Sequence, residues 1–189
     1  MWNYEKRLLF PVMITAPDLH LAGLLFEPYA GAASALTAAM TYLCQRYTMP
    51  SGALMALLTD IGTEKLSHME MLAGMIGQSL QGVPQQELKK NGLDSLYIAH
   101  GRSLIPKDSR GCSWSAAYTV SSGDALADLK FDIALESRLR AQYERLILLS
   151  KSTCYSEPLE FLDQRSAAHH RCLSEAKDLL KEQKENGDD

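Results

Sequence analysis

An all-α fold is what this 189-residue chain predicts: four long helices packed as an antiparallel bundle, with one long crossover between helices 2 and 3. Three observations carry that expectation. Apolar residues recur at three- and four-residue spacing, as in Leu54, Leu57, Leu58 and Ile61 and again in His68, Met71, Leu72 and Met75, which places them on one face of a helix. Start and stop signals fall between such stretches rather than inside them. A connection rich in Gly, Pro and Ser, from Gly92 to Gly123, separates the second stretch from the third, and one long crossover in an antiparallel bundle is the ferritin-like arrangement.

The first helical stretch runs from Asp18 to Phe26, breaks at Pro28, and resumes from Ala33 to Tyr47. The second covers Ser51 to Leu80; Pro50-Ser51-Gly52 opens it and Gly82-Val83-Pro84 closes it. The third, Asp124 to Ser150, follows Ser122-Gly123 and has Asp124 as its cap. The fourth covers Glu157 to Glu182. No internal repeat or low-complexity linker divides the chain, so residues 1–182 are expected to form a single domain. The charge run from Lys181 onward reads as a solvated helix end that frays, with residues 183–189 as an acidic flexible tail.

Composition excludes several function classes. A net charge of −4 without a concentrated basic stretch argues against nucleic acid as a partner, because neutralising phosphates needs one. No apolar stretch is long and uncharged enough to span a bilayer, and Met1-Trp2-Asn3-Tyr4-Glu5-Lys6-Arg7 has no leader pattern, so no membrane partner and synthesis in a cytoplasm are expected. Cys44, Cys112, Cys154 and Cys172 lack C-x-x-C spacing and are read as free thiols. Cys44 and Cys172 fall on apolar helices and are expected to pack, whereas Cys112, in a loop, is the candidate reactive thiol.

One constellation stands out. Bundles that hold two metals between carboxylates take a Glu from one helix, a Glu-x-x-His from the next, a Glu from the third and a Glu-x-x-His from the fourth. This chain keeps that order with gaps: His68 on the second helix, Glu136 on the third and His169 on the fourth are present, but Lys65 stands three residues before His68 and Ser166 three before His169. Other tempting residues have plainer readings. His170 adjoins His169 and must face another way, so it belongs at the surface; His20 and His100 have no partnered motif. Met69, Met71 and Met75 are core filler at helical spacing, and Ser113, Ser115 and Ser121 have no His and Asp arrangement for hydrolysis.

The opening Met1-Trp2-Asn3-Tyr4-Glu5-Lys6 with Phe10-Pro11-Val12, then Tyr42-Leu43-Cys44-Gln45-Arg46-Tyr47, Leu58 through Glu64, His68-Met69-Glu70-Met71, and Gly123-Asp124 through Tyr143-Glu144 closely resemble the manganese catalase family. Within it the chain is similar to the spore-coat, CotJC-type branch of endospore-forming bacteria, and the resemblance runs from Met1 to about Leu180. It implies two manganese ions held by three carboxylates and two histidines, with the carboxylate of the first Glu-x-x-His bridging the metals. Carried over by position, the first carboxylate falls on Ala35, the bridge on Lys65 with its histidine at His68, the third-helix carboxylate on Glu136 and the last histidine on His169; a Glu that often stands three before that histidine is Ser166. Two of the five ligand positions, Ala35 and Lys65, are therefore substituted.

An ammonium has no lone pair and carries the wrong sign for a metal ligand. The expectation is a buried Lys65–Glu136 ion pair where the metals would sit, with His68 or His169 accepting a further hydrogen bond. Glu64 and Glu70 are poor replacements, since one residue along a helix turns the side chain by about 100° and points Glu64 off the interior face. The reading is an assembly-forming spore-coat protein without catalytic residues and without cofactor, homo-oligomeric, with other coat proteins as partners and the coat as its location. Trp2-Asn3-Tyr4 and the aromatic crossover residues Tyr97, Trp114 and Tyr118 are expected at subunit contacts. The alternative is an active manganese catalase that disproportionates hydrogen peroxide at a rearranged or partial site on His68, Glu136 and His169.

Overall fold

The structure, a computed structural model, describes residues 7–94 and 103–187. It contains six α-helices among these residues: α1 (Leu19–Ala30), α2 (Ala35–Gln45), α3 (Gly52–Leu80), α4 (Gln85–Lys90), α5 (Ala125–Leu149) and α6 (Thr153–Gly187). No strand occurs among the described residues beyond one isolated antiparallel bridge, Lys107 to Ser113. The bundle is ferritin-like, with α1 and α2 together forming its first member and α3, α5 and α6 the other three. A three-residue turn at 150–152 forces α5 and α6 to run antiparallel, and they form the most extensive helix pair.

The start signals act as expected. Ser51 Oγ accepts from Leu54 N to open α3, and Asp124 Oδ1 accepts from the Leu126 and Ala127 amides to open α5. Gly82, with φ of +76°, turns the chain after α3 in a conformation that favours glycine. Gly62 lets α2 and α3 approach, since a Cβ there would meet Leu43 Cγ at 2.9 Å.

Three boundaries differ from expectation. Pro28 lies inside α1; the break comes later, at 31–34, where Thr37 Oγ1 donates to Gly31 O and Ser34 Oγ accepts from Thr37 N to start α2. Proline has no backbone N–H to bond back to Leu24, and the helix ends two residues later, at Ala30. The fourth helix begins at Thr153 rather than Glu157, and contains Pro158 near its start. It continues to Gly187, five residues beyond the expected domain end, so the charged run from Lys181 is helical to that point. Helix α4 was not expected; its Leu88 is buried and ties the first part of the crossover to the core.

The rest of the described crossover is fastened to α1 and α2. Trp114 Nε1 donates to Thr37 Oγ1 at 2.9 Å, Ser109 Oγ to Glu27 Oε2 at 2.9 Å, and Gln45 Nε2 to Val120 O at 3.0 Å. Trp114, partly buried, is anchored to α2 by that hydrogen bond; Trp2, Tyr4, Tyr97 and His100 lie outside the described residues. Met71 and Met75 are buried in the core, while Met69 packs against it. All four cysteines are free, but Cys44 and Cys172 are exposed rather than packed: each sits one position away from the buried or half-buried leucine beside it, Leu43 and Leu173, and helical rotation turns it outward. Cys112 is exposed, as expected of an accessible thiol.

Candidate functional site

Four helices meet around a polar centre. The inner face of α3 carries Lys65 and His68 between the apolar Leu58, Ile61, Met71 and Leu72. On α5, Asp128, Asp132 and Glu136 follow one another at four-residue spacing among buried leucines, so all three carboxyl groups lie inside. Helix α6 brings Ser166 and His169, and α2 brings Ala35 and Tyr42.

Lys65 is at the middle. Its ammonium, with no exposed surface, donates to Glu136 Oε2 at 2.7 Å and to Ser166 Oγ at 2.8 Å. The second bond corrects the expectation that a histidine would be the further acceptor: the hydroxyl three residues before His169 takes that role instead. Tyr42 OH donates to the other carboxylate oxygen, Glu136 Oε1, at 2.9 Å, so both oxygens of this buried carboxylate are satisfied. Ala35 is fully buried at the first residue of α2 and contributes no polar atom.

The His68 and His169 rings stack, with centroids 5.6 Å apart and planes 20° from parallel. His169 Nδ1 lies 3.9 Å from Glu136 Oε1. Glu64 occupies the opposite side. Its Oε1 is 3.4 Å from His68 Nε2 and its Oε2 is 3.1 Å from His169 Nε2, while Arg165 grips the same carboxylate in two-pronged fashion at 2.6 and 2.9 Å. Glu64 was expected to point away from the interior; instead the long side chain curls back from a half-buried position and Arg165 pins it across the α3–α6 seam. Its oxygens approach the imidazoles at ion-pair distance without the direction of a hydrogen bond, leaving all four ring nitrogens without a directed partner. Glu70 is exposed, His20 is exposed and His170 is partly buried, none of them at the centre.

Burial dominates the electrostatics. It pushes the Lys65 ammonium below the usual lysine range, against the pull of Glu136. It lowers His68 to about 4, with Lys65 and His169 adding to the effect and Glu64 opposing it, so His68 is neutral at neutral pH. Burial raises the Tyr42 phenol, with Glu136 and Asp132 reinforcing it, so Tyr42 remains a donor. Asp132 is raised well above the ordinary carboxyl value, first by burial and then by Asp128 and Glu136, with Gln45 opposing; neither of its oxygens has a hydrogen-bond partner. Partial burial raises Glu64, but His169, His68 and Arg165 together outweigh it and hold the carboxylate ionised.

Lys65, His68, Glu136, Ser166 and His169 lie near one another, and Tyr42, Glu64, Asp132 and Arg165 are neighbours that the sequence did not single out. The Asp132 signal was present, four residues before Glu136. For Glu64 and Arg165 the ion pair joins two helices about a hundred residues apart, which no local spacing reveals. A surface groove lined by Leu8, Val12, Asp60, Phe161, Glu64 and Arg165, among others, reaches that pair, and none of Lys65, His68, Glu136 or His169 lines it. Among the described residues, no three His, Cys, Asp or Glu side chains form a group able to hold a metal ion.

The helices and this inward set of Glu, His and Lys form a ferritin-like four-helix bundle with a buried polar centre. Comparison with known proteins is specific. The family model for manganese containing catalase matches residues 1–187. Protein CotJC of Bacillus subtilis is 39% identical over 185 residues, covering 98% of this chain and 97% of that protein. A probable manganese catalase of Clostridium acetobutylicum is 33% identical over 190 residues, covering 100% of this chain and 84% of that protein. The crystal structure of KatB, a manganese catalase from Anabaena, superposes with a TM-score of 0.87 at 31% identity, covering 96% of this chain and 81% of that one. The chain belongs to the manganese catalase family.

Proposed function

We propose that this chain is a non-catalytic, assembly-forming component of the spore coat, built on the manganese catalase scaffold. The observation that carries the reading is the Lys65 ammonium, 2.7 Å from Glu136 Oε2 and fully buried, at the position the family resemblance assigns to the bridging carboxylate. Two manganese ions side by side call for hard anionic oxygen donors and a carboxylate shared between them. Here Glu136 is the sole carboxylate among the five assigned positions, Ala35 offers no donor, and the charge that the metals would compensate is already compensated by Lys65. The donor set does not fit the metal pair, and no redox step is assigned to it. Similarity to Protein CotJC over nearly the whole chain supports the coat assignment, with other copies of this chain and other coat proteins as partners.

Elemental analysis of protein purified from manganese-supplemented cells tests this. Far less than two manganese per chain, with no oxygen released from hydrogen peroxide, is the expected result. Stoichiometric dimanganese with oxygen release overturns the reading in favour of an active catalase with a rearranged site.

A further inference from the structure

We propose that the groove between the N-terminal arm and the outer side of α3 docks an extended polypeptide segment of a partner protein, with apolar side chains between two Lys or Arg residues. The groove has a volume of about 1290 Å³ and runs along arm residues 8–12, α3 over residues 60–70, and Phe161 and Arg165 of α6. That exceeds the about 300–1,000 Å³ of an ordinary small-molecule pocket, so a stretch of polymer fits it better than a metabolite. Its arm wall is fixed in advance: Ile14 N donates to Gln78 Oε1 at 2.8 Å, Gln78 Nε2 donates to Val12 O at 3.0 Å, and the Phe10 ring stacks on Phe161 with centroids 5.0 Å apart. Docking does not have to order that wall, which lowers its entropic cost. Leu9 of the arm and Leu66 of α3 are 48% and 37% exposed, and covering them supplies the apolar contribution.

Charge selects the occupant. Glu64 and Arg165 compensate each other within the groove, and Arg7 has a partner of its own. The exposed carboxylates of Asp60 and Glu70 also line the groove, and neither has a hydrogen-bond or ion-pair partner among the described residues. Their separation in sequence sets them about 15 Å apart along the helix, a span that extended chain covers in about four to five residues at about 3.3 Å each. Two cations at that spacing meet both carboxylates while the side chains between them lie against the leucines; an acidic segment would meet repulsion at both ends. The kind of partner rests on the assembly reading, but metal content does not enter the test, so either can fail alone.

The test pans a random peptide-display library on the full chain, with the double variant Asp60→Lys, Glu70→Lys as the counter-selected target. Enriched peptides are expected to carry two basic residues about four to five apart around apolar ones. By fluorescence anisotropy at low salt they should bind the double variant about tenfold more weakly or worse, and added salt should weaken their binding to the parent. No enrichment, enrichment without the basic pair, or equal affinity for the folded variant overturns the proposal. A change of oligomeric state in the variant, read by sedimentation, also overturns it, because the groove then belongs to a second copy of this chain. Should the charge-reversed protein not fold, Asp60→Asn with Glu70→Gln decides, with a smaller loss of affinity expected and an unchanged affinity contradicting the proposal.

Discussion

Replacing Lys65 by Met removes the ammonium while keeping most of the aliphatic stem, which isolates charge from packing. Two hydrogen bonds are lost, to Glu136 Oε2 and Ser166 Oγ, and Glu136 keeps only the Tyr42 donor in a site with no exposed surface. Breaking a buried pair by deleting one partner costs about 3–5 kcal/mol, because the remaining charge is left uncompensated. Against a total stability of about 5–15 kcal/mol that is a large fraction. Urea unfolding at pH 7, followed by circular dichroism, should therefore show the midpoint falling by about 1–2 M for a slope of about 2–3 kcal/mol/M. The loss should shrink on acidification, because a proton neutralises a buried carboxylate that has lost its counter-ion. The double change Lys65→Met with Glu136→Gln should recover most of the stability at pH 7, since neither charge remains. A Lys65→Met protein as stable as the parent at pH 7, with Glu136 still buried and ionised, refutes the ion-pair account.

Other outcomes follow from the same centre. His68 is lowered to about 4 from an ordinary 6.5, so its neutral burial contributes fully above pH 6.5 and is lost as pH falls toward 4, by about 3 kcal/mol; His68→Gln should flatten that part of the stability profile. Asp132 acts with the opposite sign: its raised pKa means the native state holds a proton that the unfolded chain gives up, so Asp132→Asn should stabilise the protein at neutral and alkaline pH and leave it unchanged below the unfolded carboxyl pKa, as read by thermal melts across pH. Chelator should not lower the melting temperature of purified protein, because a metal bound only to the native state would reveal itself by such a drop.

The architecture was legible because helix periodicity and cap residues are local: Ser51, Asp124 and Gly82 mark the ends where the sequence places them. The Pro28 break was misplaced because a proline's local preference is weaker than the Ser34–Thr37–Gly31 hydrogen-bond set that stops one helix and starts the next. At the centre, Lys65 and Glu136 could be paired from charge and position alone. Ser166 as the second acceptor and Glu64 as the anion beside both histidines could not, since each depends on how α6 rotates against α3, and a half-buried side chain reaches where its Cβ direction does not point. The outward turn of Cys44 and Cys172 has the same origin: helical phase resolves to a residue only once the neighbouring helix is placed.

The most direct measurement of the central claim is a crystal structure of the protein grown with excess manganese, with anomalous diffraction recorded to locate the metal. The account predicts no anomalous peak between His68, Glu136 and His169, with Lys65 Nζ in hydrogen-bond contact with Glu136 and Ser166. One or two manganese peaks at that point, with Lys65 swung away from Glu136, would contradict it.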